Sequence, residues 1–78
     1  MNSIVSDLQL VFGQRVREER ERGGITQAEL AKRVKMQQPD LCDLEKGRHS
    51  PTLETVERIA KALHIAPSEL LSQGSVTA

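Results

Sequence analysis

The stretch MQQPDLCDLEKG, residues 36–47, gathers side chains with recognisable chemistry at helical spacing. Gln37 and Gln38 each carry an amide with an acceptor oxygen and a donor NH2 group, the combination that pairs with N6 and N7 of adenine. Asp43 lies one helical turn beyond Pro39. A carboxylate there accepts from cytosine N4 but repels phosphate. Pro39 has no hydrogen-bonding side chain and offers apolar contact to a thymine methyl, or simply a stiff first turn. Asp40 falls in that first turn, where a negative charge favours the helix dipole by about 0.3–1 kcal/mol and needs no ligand to explain it. Lys35 precedes the stretch, and Lys46 and Arg48 close it. Amides suited to base edges thus sit among acids that oppose a phosphate backbone and cations that attract one.

Other chemistries are poorly represented. Cys42 is the single cysteine, so no intramolecular disulfide forms, and nothing around it in sequence predicts a reactive thiolate. His49 and His64 are isolated, and no Cys/His cluster has zinc-ligand spacing. His49 is placed to contact a phosphate from a loop, and His64 to close a helix. There is no nucleophile–base pair, no carboxylate pair and no phosphate loop. No enzyme activity, metal or cofactor is expected.

Eleven cations balance eleven acids, for a formal net charge of zero. That balance counts mildly against nucleic-acid binding, which favours basic proteins. Position modifies the argument. Lys32, Arg33, Lys35, Lys46 and Arg48 are close together, whereas Glu54, Glu57 and Glu69 fall downstream. A neutral chain with one basic edge is consistent with this order.

Helices must position these groups, because no useful segment alternates apolar and polar residues. Ser6 with Gln9 reads as a capping box opening a first helix, with Leu8, Val11, Phe12 and Val16 on its apolar side. Arg15–Arg22 reads as a solvated mixed-charge face, and Gly23-Gly24 stops the helix. Thr26 with Glu29 is a second capping box, opening a helix over Thr26–Val34. Residues 35–37 form a turn with Met36 apolar inside it. A third helix runs over about Gln37–Lys46, burying Leu41 and Leu44 and ending at Gly47. Thr52 caps a fourth helix with Leu53, Val56, Ile59, Ala60 and Leu63 on one face. Pro67 opens a fifth, where its missing N–H is not needed. With 78 residues, this makes one small all-α domain with an aliphatic core. Residues 1–9 read as an extension and helix start, 10–71 as the domain, and 72–78 as a disordered tail. The apolar runs are too short to span a membrane, and the start lacks the pattern of a secretory leader. A cytoplasmic location is expected.

Two short helices joined by a tight turn over residues 26–47 form a helix-turn-helix arrangement. The surrounding residues carry a resemblance. Thr26-Gln27, Leu30-Ala31, Met36, Leu41, Leu44-Glu45, Gly47, Pro51-Thr52-Leu53, Thr55 and Ile59-Ala60-Lys61-Ala62-Leu63 follow in order, with Phe12-Gly13, Val16 and Arg20 upstream. This set resembles the Cro/repressor-type, or xenobiotic-response-element, helix-turn-helix family over about residues 10–71. The resemblance implies a compact five-helix lambda-repressor-like DNA-binding domain whose third helix enters the major groove. It implies that Gln27 donates to a phosphate and braces the reading helix, and that Gln38 is the first base-contacting side chain. It implies a structural salt bridge between Arg20 and Glu45. Gln37 departs from the usual Ser or Thr cap, which either weakens the helix start or frees Gln37 for DNA. Pro39 departs as well. Affinity is then expected from Lys35, Lys46, Arg48 and backbone amides near Gly47, with Asp43 acting in selectivity.

The function expected is a sequence-specific transcriptional regulator, a repressor acting as a homodimer on a palindromic operator in double-stranded DNA. Ile4, Val5, Leu10, Leu70, Leu71 and Val76 are candidates for the dimer surface. A different class stays open: a protein-interaction module, such as an antitoxin-like or anti-repressor partner. Salt dependence separates the two, since phosphate contacts weaken steeply with salt and an apolar protein interface does not.

Overall fold

The computed structural model describes residues 3–71, with side chains described from Leu8 onward. Five helices follow in order: α1 Ser3–Arg22, α2 Gln27–Arg33, α3 Gln38–Glu45, α4 Leu53–Leu63 and α5 Pro67–Leu70. No strand occurs among the described residues. The expected tail over 72–78 lies outside them, as do Val76 and the side chains of Ile4 and Val5.

The caps explain most helix boundaries. Thr26 accepts from the Glu29 backbone N–H at 3.1 Å, and the Glu29 carboxylate accepts from the Thr26 backbone N–H at 2.9 Å. The reciprocal pair satisfies two N–H groups that α2 leaves unbonded at its start. These bonds hold the Glu29 carboxyl below its ordinary range: the Thr26 backbone N–H contributes most, then its hydroxyl. Thr52 caps α4 by accepting from the Thr55 N–H at 3.1 Å. The start of α1 differs from expectation. The helix already runs at Ser3, so Ser6 is helical and does not cap it. No Gly or Pro between residues 3 and 12 interrupts the backbone, and a capping pattern alone does not force a boundary.

Helices α1 to α4 all end in the same way. Gly24, Lys35, Gly47 and His64 adopt left-handed backbone conformations, with φ of 71, 60, 77 and 60°. In each case the next residue's N–H reaches back to a carbonyl in the last turn: Ile25 to Arg20 at 3.0 Å, Met36 to Ala31 at 2.9 Å, Arg48 to Asp43 at 2.8 Å, and Ile65 to Ala60 at 3.0 Å. This is the Schellman closure, which usually places an apolar residue just after the left-handed one. Ile25, Met36 and Ile65 obey and pack against the core. Arg48 does not; it is exposed at the end of α3.

The core is aliphatic apart from Phe12. Val16, Leu30, Val34, Leu41, Leu44, Ile59 and Leu70 are fully buried, each stabilising by about 1.5–3 kcal/mol relative to an exposed position. Leu70 therefore belongs to the core and not to an outer surface. Leu53 departs in the other direction: it is 83% exposed although it continues the apolar spacing of α4. It is the first residue of that helix, next to the Thr52 cap. Leu71 is also exposed and does not fold back onto the core.

Gly13 permits the closest helix approach. A Cβ there would lie 2.2 Å from the Leu44 carbonyl oxygen and 2.9 Å from that of Glu45. Only glycine lets α1 press directly on the end of α3.

Candidate nucleic-acid interface

On α3, Leu41, Leu44 and Glu45 face inward. Gln38, Pro39, Asp40, Asp43 and Lys46 are exposed, and Cys42 is half-buried between the two sets. The three- and four-residue spacing of the leucines and Glu45 anchors one face and leaves the other to solvent. Gln37 precedes the helix in extended conformation, is exposed and makes no side-chain cap bond. Pro39 in the first turn and Asp40 beside it support a start that lacks a side-chain cap.

Glu45 is buried, and Arg20 meets it in a fork. Arg20 Nε donates to Oε2 at 2.7 Å and an Nη donates to Oε1 at 3.1 Å, while the other Nη donates to the Ile25 carbonyl at 2.9 Å. The hydrogen bond to Glu45 raises the Arg20 pKa above its ordinary value, against a smaller opposing effect of burial. Gln27 joins the same carboxylate: its Nε2 donates to Glu45 Oε1 at 3.0 Å. Gln38 Nε2 in turn approaches Gln27 Oε1 at 3.5 Å. The two glutamines and the salt bridge, which sequence reasoning treats separately, form one polar chain from α1 to the head of α3. Nothing in residue spacing marks the Gln27–Glu45 link, because it joins two helices through a change of direction.

The structure also sorts the charges. Arg15 pairs with Glu18 and Glu19 at 3.0 and 3.3 Å, Arg17 with Glu21 at 3.1 Å, Arg22 with Glu19 at 3.2 Å, and Arg58 with Glu54 at 2.8 Å. Most acids of α1 are thereby matched within their own helix. Arg15, Glu19 and Arg20 are half-buried, so the run over 15–22 is not wholly a solvated face. Among the described residues, Lys32, Arg33, Lys35, Lys46, Arg48 and Lys61 take part in no ion pair. All but Lys61 lie in the segment that leads into and out of α3, and all six are exposed. Exposed pairs add little to stability; here they decide where uncompensated positive charge is left.

Two expected phosphate donors are otherwise occupied. The backbone N–H of Gly47 donates to the Leu44 carbonyl at 3.0 Å, and that of Arg48 to Asp43 at 2.8 Å. The helix closure consumes these amides, so the expected backbone contacts near Gly47 are withdrawn. His49 is half-buried, and its Nδ1 is turned inward without a protein partner. Among the described residues no group of His, Cys, Asp or Glu is arranged to hold a metal. No helix there is long and apolar enough to cross a membrane.

Comparison with known proteins identifies the fold and the family. Residues 11–72 match the helix-turn-helix domain family. The chain is 32% identical over 69 residues to the control protein C.BamHI of Bacillus amyloliquefaciens, covering 87% of this chain and 85% of that protein. It is 50% identical over 48 residues to an HTH-type transcriptional regulator of Methanothermobacter thermautotrophicus, covering 62% of this chain and 70% of that one. Among solved structures it is similar to the restriction-modification controller protein C.AhdI of Aeromonas hydrophila, with a TM-score of 0.77 and 34% identity, over 80% of this chain and 94% of that one.

Proposed function

The chain belongs to the helix-turn-helix family of DNA-binding transcriptional regulators, and from that premise we propose that it acts as a dimeric repressor on a palindromic operator. Its relatives are regulators, not enzymes, and no catalytic step is assigned to it. The observation that carries the reading is the sorting of charge around α3. The protein is neutral overall, yet Lys35, Lys46 and Arg48, exposed and without carboxylate partners, flank α3 directly in the chain.

In this reading α3 lies in the major groove. Gln38 pairs with adenine, Asp43 accepts from cytosine N4, and Pro39 meets a thymine methyl. Lys35, Lys46 and Arg48 hold phosphates on either side, and the second N–H of Gln27 Nε2 is left for another. Gln37 is free to reach the backbone or a base edge. The acids are compatible with DNA because Asp43 faces bases, Asp40 serves the helix end, and cations flank both. Among the closures of α1 to α4, that of α3 alone ends on a residue exposed to solvent, Arg48, which leaves its guanidinium available to a phosphate.

One such helix offers few base contacts, too few for an operator to stand out in a genome. A two-fold dimer, with half-sites about 34 Å apart, doubles them. Leu8, Leu10 and Leu71 are exposed apolar residues near the chain ends, and Leu53 is a fourth on α4. We assign Leu8, Leu10 and Leu71 to contact with the second protomer. An interaction with a different protein is the competing reading, favoured by the exposure of Leu53.

The test is selection of bound duplexes from a random DNA pool with wild type and Gln38→Ala in parallel, together with sedimentation at micromolar concentration. A palindromic consensus that loses definition at one position per half-site in the variant supports the reading. No enrichment at low salt moves the assignment to the protein-interaction module, and a strict monomer removes the dimer.

A further inference from the structure

From the arrangement of Arg33, Arg58, Lys61 and His64 we infer a second recognition surface, a cradle for an acidic segment of another protein, built apart from the helix that reads DNA.

Helix α4 packs on α1, α2 and α5, which brings its last turns beside the end of α2. There Arg33, Arg58, Lys61 and His64 ring a depression of about 340 Å³, with Ala62 among them. The four are exposed and Ala62 is half-buried. Arg33 and Lys61 take part in no ion pair among the described residues. Glu29, one turn before Arg33, has its carboxylate engaged by Thr26. Arg58 gives one Nη to Glu54 at 2.8 Å and keeps its other donors. Among the described residues no carboxylate lines the depression. A neighbouring one of about 650 Å³ shares Arg58, Lys61 and His64 but adds Glu54 and Glu57, which balance them. Positive charge is thus unopposed on one side of these three side chains and opposed on the other.

Arg33 lies in the last turn of α2 and Lys61 in that of α4, where a cation favours the helix dipole. That accounts for each separately. It does not account for Arg58, in the middle of α4, or for two helix ends meeting at one depression without acids. The ligand class follows from the donors. Backbone amides that could hold a lone phosphate are taken by the helix closures: Lys35 and Met36 donate to Lys32 and Ala31, and His64 and Ile65 to Lys61 and Ala60. What is left is a set of exposed side chains, each of which holds a single anion weakly in water. Carboxylates strung along one chain meet several of them at once, and the first contact raises the effective concentration for the next. Ala62 gives the methylenes of a glutamate an apolar floor. Lys35, Gln38, Lys46 and Arg48, assigned above to DNA, line no part of the depression, so partner and operator are held by different groups.

The probe is a fluorescein-labelled peptide of alternating glutamate and alanine, with its glutamine counterpart as control, followed by fluorescence anisotropy. At low salt the glutamate peptide should bind and the glutamine peptide should not, and the affinity should fall as salt is raised. Arg33→Gln combined with Lys61→Gln should weaken binding about three- to tenfold, the span expected for two exposed charge contacts, with folding checked by circular dichroism melting. Lys46→Gln combined with Arg48→Gln removes the same charge beside α3 and should weaken it markedly less. Equal losses in the two double variants would mean attraction to net charge alone and overturn the proposal, as would an absence of binding at low salt. A single-stranded oligothymidylate held more tightly than the peptide, and through Arg33 and Lys61, would assign the surface to nucleic acid and overturn it too. None of these outcomes depends on operator recognition, so a failure of α3 as the reader is judged separately.

Discussion

Gly13→Ala sets two opposed effects against each other. In a helix interior alanine is favoured over glycine by about 1 kcal/mol. The new Cβ, however, would lie 2.2 Å from the Leu44 oxygen and 2.9 Å from the Glu45 oxygen, where ordinary contact begins at 3.4 Å. Both obstacles are main chain, so no side chain can rotate aside. Helices α1 and α3 have to part locally by about an ångström, and overpacking of this kind costs about 1–3 kcal/mol or more. With rigid neighbours the upper end applies, and the net loss is about 2 kcal/mol once propensity is subtracted. For a domain of this size that lowers Tm by about 8–16 °C, readable by circular dichroism melting. An unchanged or raised Tm is what propensity alone gives, and it would refute the claim that Gly13 exists for the close approach. The displaced oxygens belong to Leu44 and Glu45, so the variant should also bind DNA less well than its fraction folded explains.

Four further outcomes are expected. Glu45→Ala leaves the Arg20 guanidinium, with its side chain only 11% exposed, without its main partner; allowing for that partial exposure, a loss of about 2–4 kcal/mol is expected, and a denaturant midpoint close to wild type would dismiss the pair as a brace. Lys35→Gly relieves a left-handed non-glycine residue and should raise stability by about 1 kcal/mol, while weakening DNA binding; a variant of lower Tm would contradict the strain argument. The Glu29 carboxyl is held below its ordinary value by Thr26, so its stabilisation is fully present above the unfolded value of about 4.3 and is lost as pH falls through the lowered folded value. The Tm gap between wild type and Glu29→Gln should accordingly stay constant above about pH 4.3 and narrow as pH falls from there through the lowered folded value, and a gap that stays constant down to acid would count against the capping box. Finally, removing Lys35, Lys46 or Arg48 singly should flatten the plot of log K against log salt by about 1 for each phosphate that a protomer no longer neutralises; Lys61→Ala, on α4 and outside the segment around α3, should leave the slope alone.

Much of this architecture is legible from local rules. Thr26 with Glu29, Thr52, and Pro67 mark the starts of α2, α4 and α5, and Gly24 and Gly47 mark two ends, because each acts on the backbone within a turn of itself. Lys35 and His64 take the same left-handed position without being glycine, and composition gives no hint of it. The buried leucines of α3 follow from spacing. The exposed Leu53 does not, since periodicity reports a helix face and not whether anything covers it. The α1 ion pairs sit at three- and four-residue spacing and are readable in principle, but their effect appears only after pairing is resolved: they remove charges from the balance and expose the bias around α3. Gln27 and Glu45 meet through tertiary packing, and the depth at which Gly13 is pressed depends on two helix axes. Neither is encoded in any one segment.

The internal pairing along α1 has a consequence for how such a molecule finds its site. With its net charge zero and all of its unmatched cations but Lys61 in the segment around α3, it behaves toward a polyanion as a dipole and not as a free cation. The field of a duplex turns it before it pulls it, and the torque becomes strong only within a Debye length, about 8 Å at physiological salt. Random DNA therefore holds few copies in store. For the repressor proposed above, less of the protein is then diluted over non-specific sequence, and a lower cellular concentration fills the operator than a strongly basic regulator needs.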